Sequence, residues 1–535
     1  MTSILKTTFL GEIRGTTENG VSRYLGIKYA NLKNRLADAK LIEERHGYVM
    51  KATQDGPTAV SPSFGCDIEL SAIQHPLLKK ELLQSDIDCL NLNITVPSGT
   101  TSLSKLPVFL FVHGGGLVIG ANSWPQFDFT RFVNLSEEKN LPIVAVSINY
   151  RLGAFGFLTS DELRSAGYKA NNGIRDQRIA MRWVQKHILD FGGDPENVTL
   201  AGMSAGGASV TYHLHSDEPL FKRAIVMSGT FFLIRALSYE AHEENYRKVL
   251  DMLGLTNLSP DARMKALLEV PGHDIVAKIP PSALTAPAID GEMVLPDISF
   301  AEVENSYSDV PRGKAWCRDL MIGDSQTDGS STLLLSIMPV LEPDMKTNCA
   351  KRFSDSIHSV LAAHPNEAER ILEAYSIADG TPDDRALPSV LEFFNDVMFF
   401  APVLAFARGW NGDAHVYYFN EGNPWEGPWK GHATHILDLA YLFQNFREFM
   451  TPQQQEVGFA FAEDIFKFCH GVLQAEDDKG LSARVYGSSN KGLVRSVVNQ
   501  LHGGKSMRRD IVLNCVAGMS FDDLLKVFTV FNESQ

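Results

Sequence analysis

The sequence predicts an α/β fold, with a central, mostly parallel sheet flanked by helices and helical insertions above it. Two observations carry that expectation. Short β-branched apolar runs alternate with stretches of helical period, the pattern of strand–helix–strand units with right-handed crossovers. The strand-like runs are also apolar throughout rather than at every second residue, as in a sheet covered on both faces.

Taken in order, residues 107–116 (PVFLFVHGGG) and 142–153 (PIVAVSINYRLG) read as buried strands closed by glycine. Residues 173–189 place Ile174, Ile179, Met181, Trp183, Val184 and Ile188 three to four residues apart, which predicts an amphipathic helix. Residues 191–207 (FGGDPENVTLAGMSAGG) read as a turn, a strand over 198–201, a tight elbow and a helix start. Residues 224–229, 319–323 and 415–419 supply further strands. The mixed-charge, helix-patterned stretches 239–276 and 343–400 are expected as insertions or a cap over the carboxyl edge of the sheet. No repeat, low-complexity tract or Pro/Gly/Ser-rich linker divides the chain, so residues 1–535 read as one large domain.

Composition narrows the function. With 64 acidic against 49 basic residues and a formal net charge of −15, the chain has no Lys/Arg-dense segment. The footprint of a nucleic-acid binder is missing, and a small-molecule substrate fits better. No apolar run approaches the ~20 residues that span a bilayer. The start, MTSILKTTFLGEIRG, has no apolar core of signal-peptide length, so a cytoplasmic location is expected. The six cysteines form no CxxC pair, and no His/Cys cluster has zinc-ligand spacing. No metal or organic cofactor is expected.

Two motifs carry chemistry. In Gly202-Met203-Ser204-Ala205-Gly206 a strand turns sharply into a helix. The flanking glycines relieve crowding, the turn exposes the serine hydroxyl, and the helix N-terminus favours negative charge beside it. The second motif, His113-Gly114-Gly115-Gly116, follows an apolar strand. Acyl transfer passes through an oxyanion that needs preorganised N–H donors, and glycines let the backbone supply them. Gly115, Gly116 and Ala205 are the candidate donors.

With these residues the chain resembles the type-B carboxylesterase/lipase family, the cholinesterase-like branch of the α/β-hydrolases. Gly26-Ile27-Lys28-Tyr29-Ala30, Asp88-Cys89-Leu90-Asn91-Leu92-Asn93, the HGGG run, Asn149-Tyr150-Arg151-Leu152-Gly153, Asp176-Gln177, Phe191-Gly192-Gly193-Asp194-Pro195, Ser228-Gly229 and Asp290-Gly291 follow in family order. The resemblance implies the α/β-hydrolase fold and hydrolysis of a small-molecule carboxylic ester through a Ser-His-Asp triad. Ser204 is the expected nucleophile. Residues 323–330 (GDSQTDGS) resemble the family's GxxxDEGS loop and place the acid at Asp328, with Asp324 competing. Residues 435–443 (HILDLAYLF) resemble HxxELxYxF and place the base at His435, with His432 as rival.

The chain also departs from the family pattern. Met203 stands where glutamate usually precedes the serine, which removes a carboxylate from beside the triad and argues against a cationic, choline-like substrate. Ile87-Asp88 replaces Glu-Asp, leaving Asp86 or another acid to pair with Arg151. The family's N-terminal disulfide would join Cys66 to Cys89. Trp425 and Trp429 either line the approach to the site or pack the cap. Two other functions compete with ester hydrolysis. An acyl-transferring or lactone-forming enzyme would use the same acyl-enzyme and exclude water. A non-catalytic binding protein on this fold would be expected to lose a triad member, and this chain keeps all three.

Overall fold

The structure is a computed structural model that describes residues 2–45, 47–279, 286–296, 298–331, 347–378, 380–475, 482–499, 512–513 and 519–533. A 13-stranded sheet organises them. Its strands are β1 (Thr2–Lys6), β2 (Glu12–Glu18), β3 (Val21–Lys28), β4 (Asn91–Pro97), β5 (Leu106–Val112) and β6 (Val144–Ile148). They continue with β7 (Gly193–Met203), β8 (Arg223–Met227), β9 (Asp319–Ser325), β10 (Asp413–Phe419), β11 (Ser482–Tyr486) and β12 (Arg495–Asn499). The spatial order is β1-β2-β3-β4-β6-β5-β7-β8-β9-β10-β11-β12, with the short strand Val49–Lys51 paired to β2. From β6 through β11 every neighbouring pair is parallel. The outer pairs are antiparallel, except that the short strand Val49–Lys51 runs parallel to β2.

The reason for uniformly apolar central strands is visible in β5. Val108, Leu110 and Val112 pack into one core cluster, and Phe109 and Phe111 pack into another on the opposite face. The predicted helix runs from Asn172 to His187. It buries Ile174, Met181, Trp183 and Val184 against the first of these clusters. The helices Tyr239–Met252, Pro260–Glu269 and Gly272–Lys278 form a small third cluster around Phe155, Leu158 and Leu163. In the second predicted insertion, residues 343–346 lie outside the described residues. Its helices Cys349–Val360, Pro365–Ala374 and Asp383–Asn395 bury their apolar faces in the main core. The helical segment Asp383–Gly409 is long and apolar enough to cross a membrane, but 94% of its apolar window is buried inside the molecule, as in a core helix.

One expectation is corrected, and one left open between alternatives is decided. Cys66 and Cys89 are free thiols rather than a disulfide. They pack in separate core clusters. Burial pushes both thiols up to about 12, so they are unreactive. Cys515 lies outside the described residues. Arg151 pairs with Asp176 rather than Asp86: Nε donates to Oδ2 at 2.7 Å and Nη2 to Oδ1 at 2.7 Å, with both side chains buried. Asp86 pairs instead with Arg35, at 2.6 Å.

Candidate active site

The strand register brings the candidate residues to one edge. Gly202 lies opposite Val112, Met203 opposite Met227, and Met227 opposite Gly323. The glycine-rich loop, the serine elbow and the acid loop therefore all leave the carboxyl ends of adjoining parallel strands, where ligands of open α/β sheets bind.

Ser204 links β7 to the helix Ala205–His213 with φ 57° and ψ −123°, a region that L-residues occupy only under constraint. Its N–H donates to Met227 O at 2.9 Å, and its carbonyl accepts the N–H of Ala208 at 2.9 Å. The elbow has no room for larger neighbours: a Cβ on Gly206 would sit 2.1 Å from Val112 O. Ser204 remains half-buried, while Met203 is buried in the apolar cluster.

The glycine-rich loop lies against this turn. A Cβ on Gly114 would fall 3.1 Å from Ser204 Cβ. Gly115 has φ 97°, and its carbonyl accepts the N–H groups of Val118 and Ile119 at 3.0 Å each. The amides of Gly115 and Gly116 donate to no acceptor among the described residues. Ala205 opens its helix, where the first amides have no intrahelical partner. His113 anchors the loop from below. Its ring stacks on Tyr150 at 4.5 Å, Nδ1 bonds Gly114 O at 2.9 Å, and its carbonyl accepts the Tyr150 hydroxyl at 2.9 Å. Burial pulls its imidazole down to about 4, so it stays neutral.

Asp328 and His435 form a buried pair, with Asp328 Oδ1 2.8 Å from His435 Nδ1. Asp328 Oδ2 accepts the N–H of Ser325 at 2.7 Å. The N–H of His435 donates to Ser330 Oγ at 3.2 Å, and that of Thr327 to Ala433 O at 2.8 Å, which ties the acid and base loops together. The edge of Phe399 meets the His435 ring at 5.6 Å. Ser204 makes no hydrogen bond to His435 in this structure. Of the rival residues, Asp324 stays on β9, and His432 is exposed beside Trp429. Trp425 packs in the core against Phe446 and His75, so it does not line the site as an open wall.

Asp438 is a carboxylate whose weight no residue pattern conveyed, although it occupies an offset of the HxxELxYxF segment. It is fully buried, and the Tyr417 hydroxyl donates to it at 3.3 Å. Burial first, and then the Asp328 charge, push its carboxyl up to about 7. Ser330 lay within the matched acid loop. Asn395 and Phe399 carried no sequence signal, because they reach the site from a helix far along the chain.

Fold and site together define the class, a serine hydrolase of carboxylic esters on the α/β-hydrolase fold. The chain belongs to the carboxylesterase family, whose model matches residues 2–468. It is 28% identical over 460 residues to the para-nitrobenzyl esterase of Bacillus subtilis, covering 83% of this chain and 84% of that one. It is 28% identical over 439 residues to the mouse pyrethroid hydrolase Ces2a, covering 78% and 73%. Among solved structures, a thermophilic PNB esterase superposes with a TM-score of 0.74 at 24% identity, covering 96% of this chain and 100% of that one. A Geobacillus stearothermophilus carboxylesterase gives 0.72 at 24%, covering 95% and 99%.

Proposed function

We propose that the protein hydrolyses uncharged small-molecule carboxylic esters through an acyl-enzyme formed on Ser204. The observation that carries this reading is the buried 2.8 Å bond between Asp328 and His435 Nδ1, at the sheet edge that also presents the strained serine. Asp328 holds the proton on Nδ1, which leaves Nε2 as the base. His435 takes the Ser204 proton as the hydroxyl attacks the ester carbonyl, and the amides of Gly115, Gly116 and Ala205 receive the oxyanion. His435 then protonates the leaving alcohol, and water repeats the sequence on the acyl-enzyme. The missing Ser204–His435 bond is compatible with this reading, because such contacts tighten when substrate binds. Met203 supports the uncharged substrate: its buried thioether stands beside the nucleophile and offers a cationic alcohol no counter-charge.

The test is a p-nitrophenyl ester series of rising acyl length with wild type and Ser204→Ala. Turnover should peak at one length and fall at least about 10⁴-fold in the variant. Equal rates for the two proteins would refute Ser204 as nucleophile.

A further inference from the structure

The acid loop is held by a helix that the proposed mechanism does not use. The Gly329 N–H, next to Asp328, donates to Asn395 Oδ1 at 3.0 Å in buried surroundings. Asn395 ends the helix Asp383–Asn395, and a π-helical turn, Asp396–Phe400, follows directly. Such turns recur at functional sites because they redirect side chains out of helical register. The loop lies on the helix backbone itself: a Cβ on Gly329 would fall 2.1 Å from Leu391 O and 3.3 Å from Asn395 Cβ. From the same turn Phe399 sets its edge against the His435 ring, 5.6 Å between centroids. The turn is anchored behind by Tyr375, whose hydroxyl donates to Asp396 Oδ2 at 3.0 Å. One continuous segment thus touches the loop of the acid and the ring of the base.

We propose that Asn395 is a positioning residue for the acid–base pair, its side-chain oxygen fixing the Asp328–Ser330 turn where Asp328 can hold His435 Nδ1–H. Two observations single out Asn395 from ordinary packing. Its bond spans 66 residues to the peptide adjoining the acid. Its Nδ2, although buried, has no partner among the described residues, so only the oxygen of this amide is in use there. The ionisable groups shown to act on or beside the pair are Asp438, Tyr417 and Asp324, and Asp396, next to Asn395 in the chain, takes the Tyr375 hydroxyl; substitution at 395 leaves each of these side chains in place.

The inference rests on the proposed triad, and the experiment separates the two. Rates against pH are measured on a p-nitrophenyl ester for wild type, Asn395→Leu, Asn395→Asp, Asp328→Asn and Ser204→Ala. With the acceptor gone and the volume kept, Asn395→Leu should lose about tenfold to a hundredfold in kcat with KM within about twofold. A looser Asp328 stabilises the imidazolium less, so the acidic limb of its pH profile should move to lower pH. Asn395→Asp keeps an oxygen at the same place. It should recover kcat to within about threefold of wild type and return the limb to, or above, its original position. Melting temperatures and the downfield imidazole N–H resonance identify a variant that has merely unfolded, and Asn395→Asp then decides the case. Wild-type kcat and pH profile in Asn395→Leu, or no recovery in Asn395→Asp, would overturn the positioning role. Retained activity in Ser204→Ala and Asp328→Asn would overturn the triad reading instead.

Discussion

Met203 shows how one side chain sets the electrostatics of a site. A thioether fills the position beside Ser204, the proposed nucleophile, buried among apolar neighbours and 3.5 Å from where a Gly114 side chain would begin. Met203→Glu buries a carboxyl there without a visible partner, which should cost about 1–3 kcal/mol of stability, read as a lowered denaturation midpoint. The same variant should raise the ratio of kcat/KM for a trimethylammonium ester over its uncharged isostere, since an attractive counter-charge now faces the alcohol. An unchanged ratio would show that the alcohol binds away from residue 203. Candidate residues could be singled out in the sequence wherever a motif surrounded them, as Ser204, Asp328 and His435 were, and the structure brings the last two into contact. Asn395 and Phe399 were not, because the contacts that give them meaning cross between distant segments.

At the scale of elements, the buried ion pair of Arg151 with Asp176 matters beyond its two side chains. Arg151 follows β6, Asp176 lies in the helix Asn172–His187, and Arg151 Nη1 also donates to the carbonyls of Arg35 and Ala37, at 3.1 and 2.8 Å. One guanidinium therefore pins a strand end, a helix and the N-terminal loop. Arg151→Met leaves Asp176 buried and uncompensated and should destabilise the protein by about 3–5 kcal/mol in urea unfolding. A loss below 1 kcal/mol would mean that the pair is dispensable. The central strands and this helix were readable from apolar runs and three-to-four-residue spacing, since burial on both faces or one imposes those patterns. The antiparallel edge strands were harder. In β1 no residue is buried, so its period is faint. The partner of Arg151 stayed open in the sequence between Asp86 and another acid, because closeness to the altered motif along the chain says nothing about distance in space.

Across the whole molecule, two buried carboxyls make stability depend on pH. Burial pushes Glu69 up to about 7, opposed by its bond from Gln126 Nε2 at 2.8 Å, and Asp438 is also raised to about 7. A carboxyl held above its unfolded value binds its proton more tightly in the folded state. The stability it lends is complete below about pH 4 and is lost as pH rises through about 7. Glu69→Gln removes one such group and keeps an acceptor for Gln126. The variant's melting temperature, measured relative to wild type, should therefore climb between pH 5 and pH 8. A constant difference across that range would show that Glu69 titrates normally. None of this was legible beforehand, because a lone glutamate in sequence carries no mark of its surroundings.

The order of strands also bears on how the protein comes into being on the ribosome. The elbow with Ser204 follows β7, the acid follows β9, and the imidazole arrives only after β10, which docks beside β9. A nascent chain emerging from the N-terminus could complete the serine turn long before the proposed base, His435, exists to activate it. Esterase activity would then report on the arrival of the segment that follows β10 rather than on formation of the first half of the sheet, and the newborn enzyme would stay chemically silent until that segment is in place.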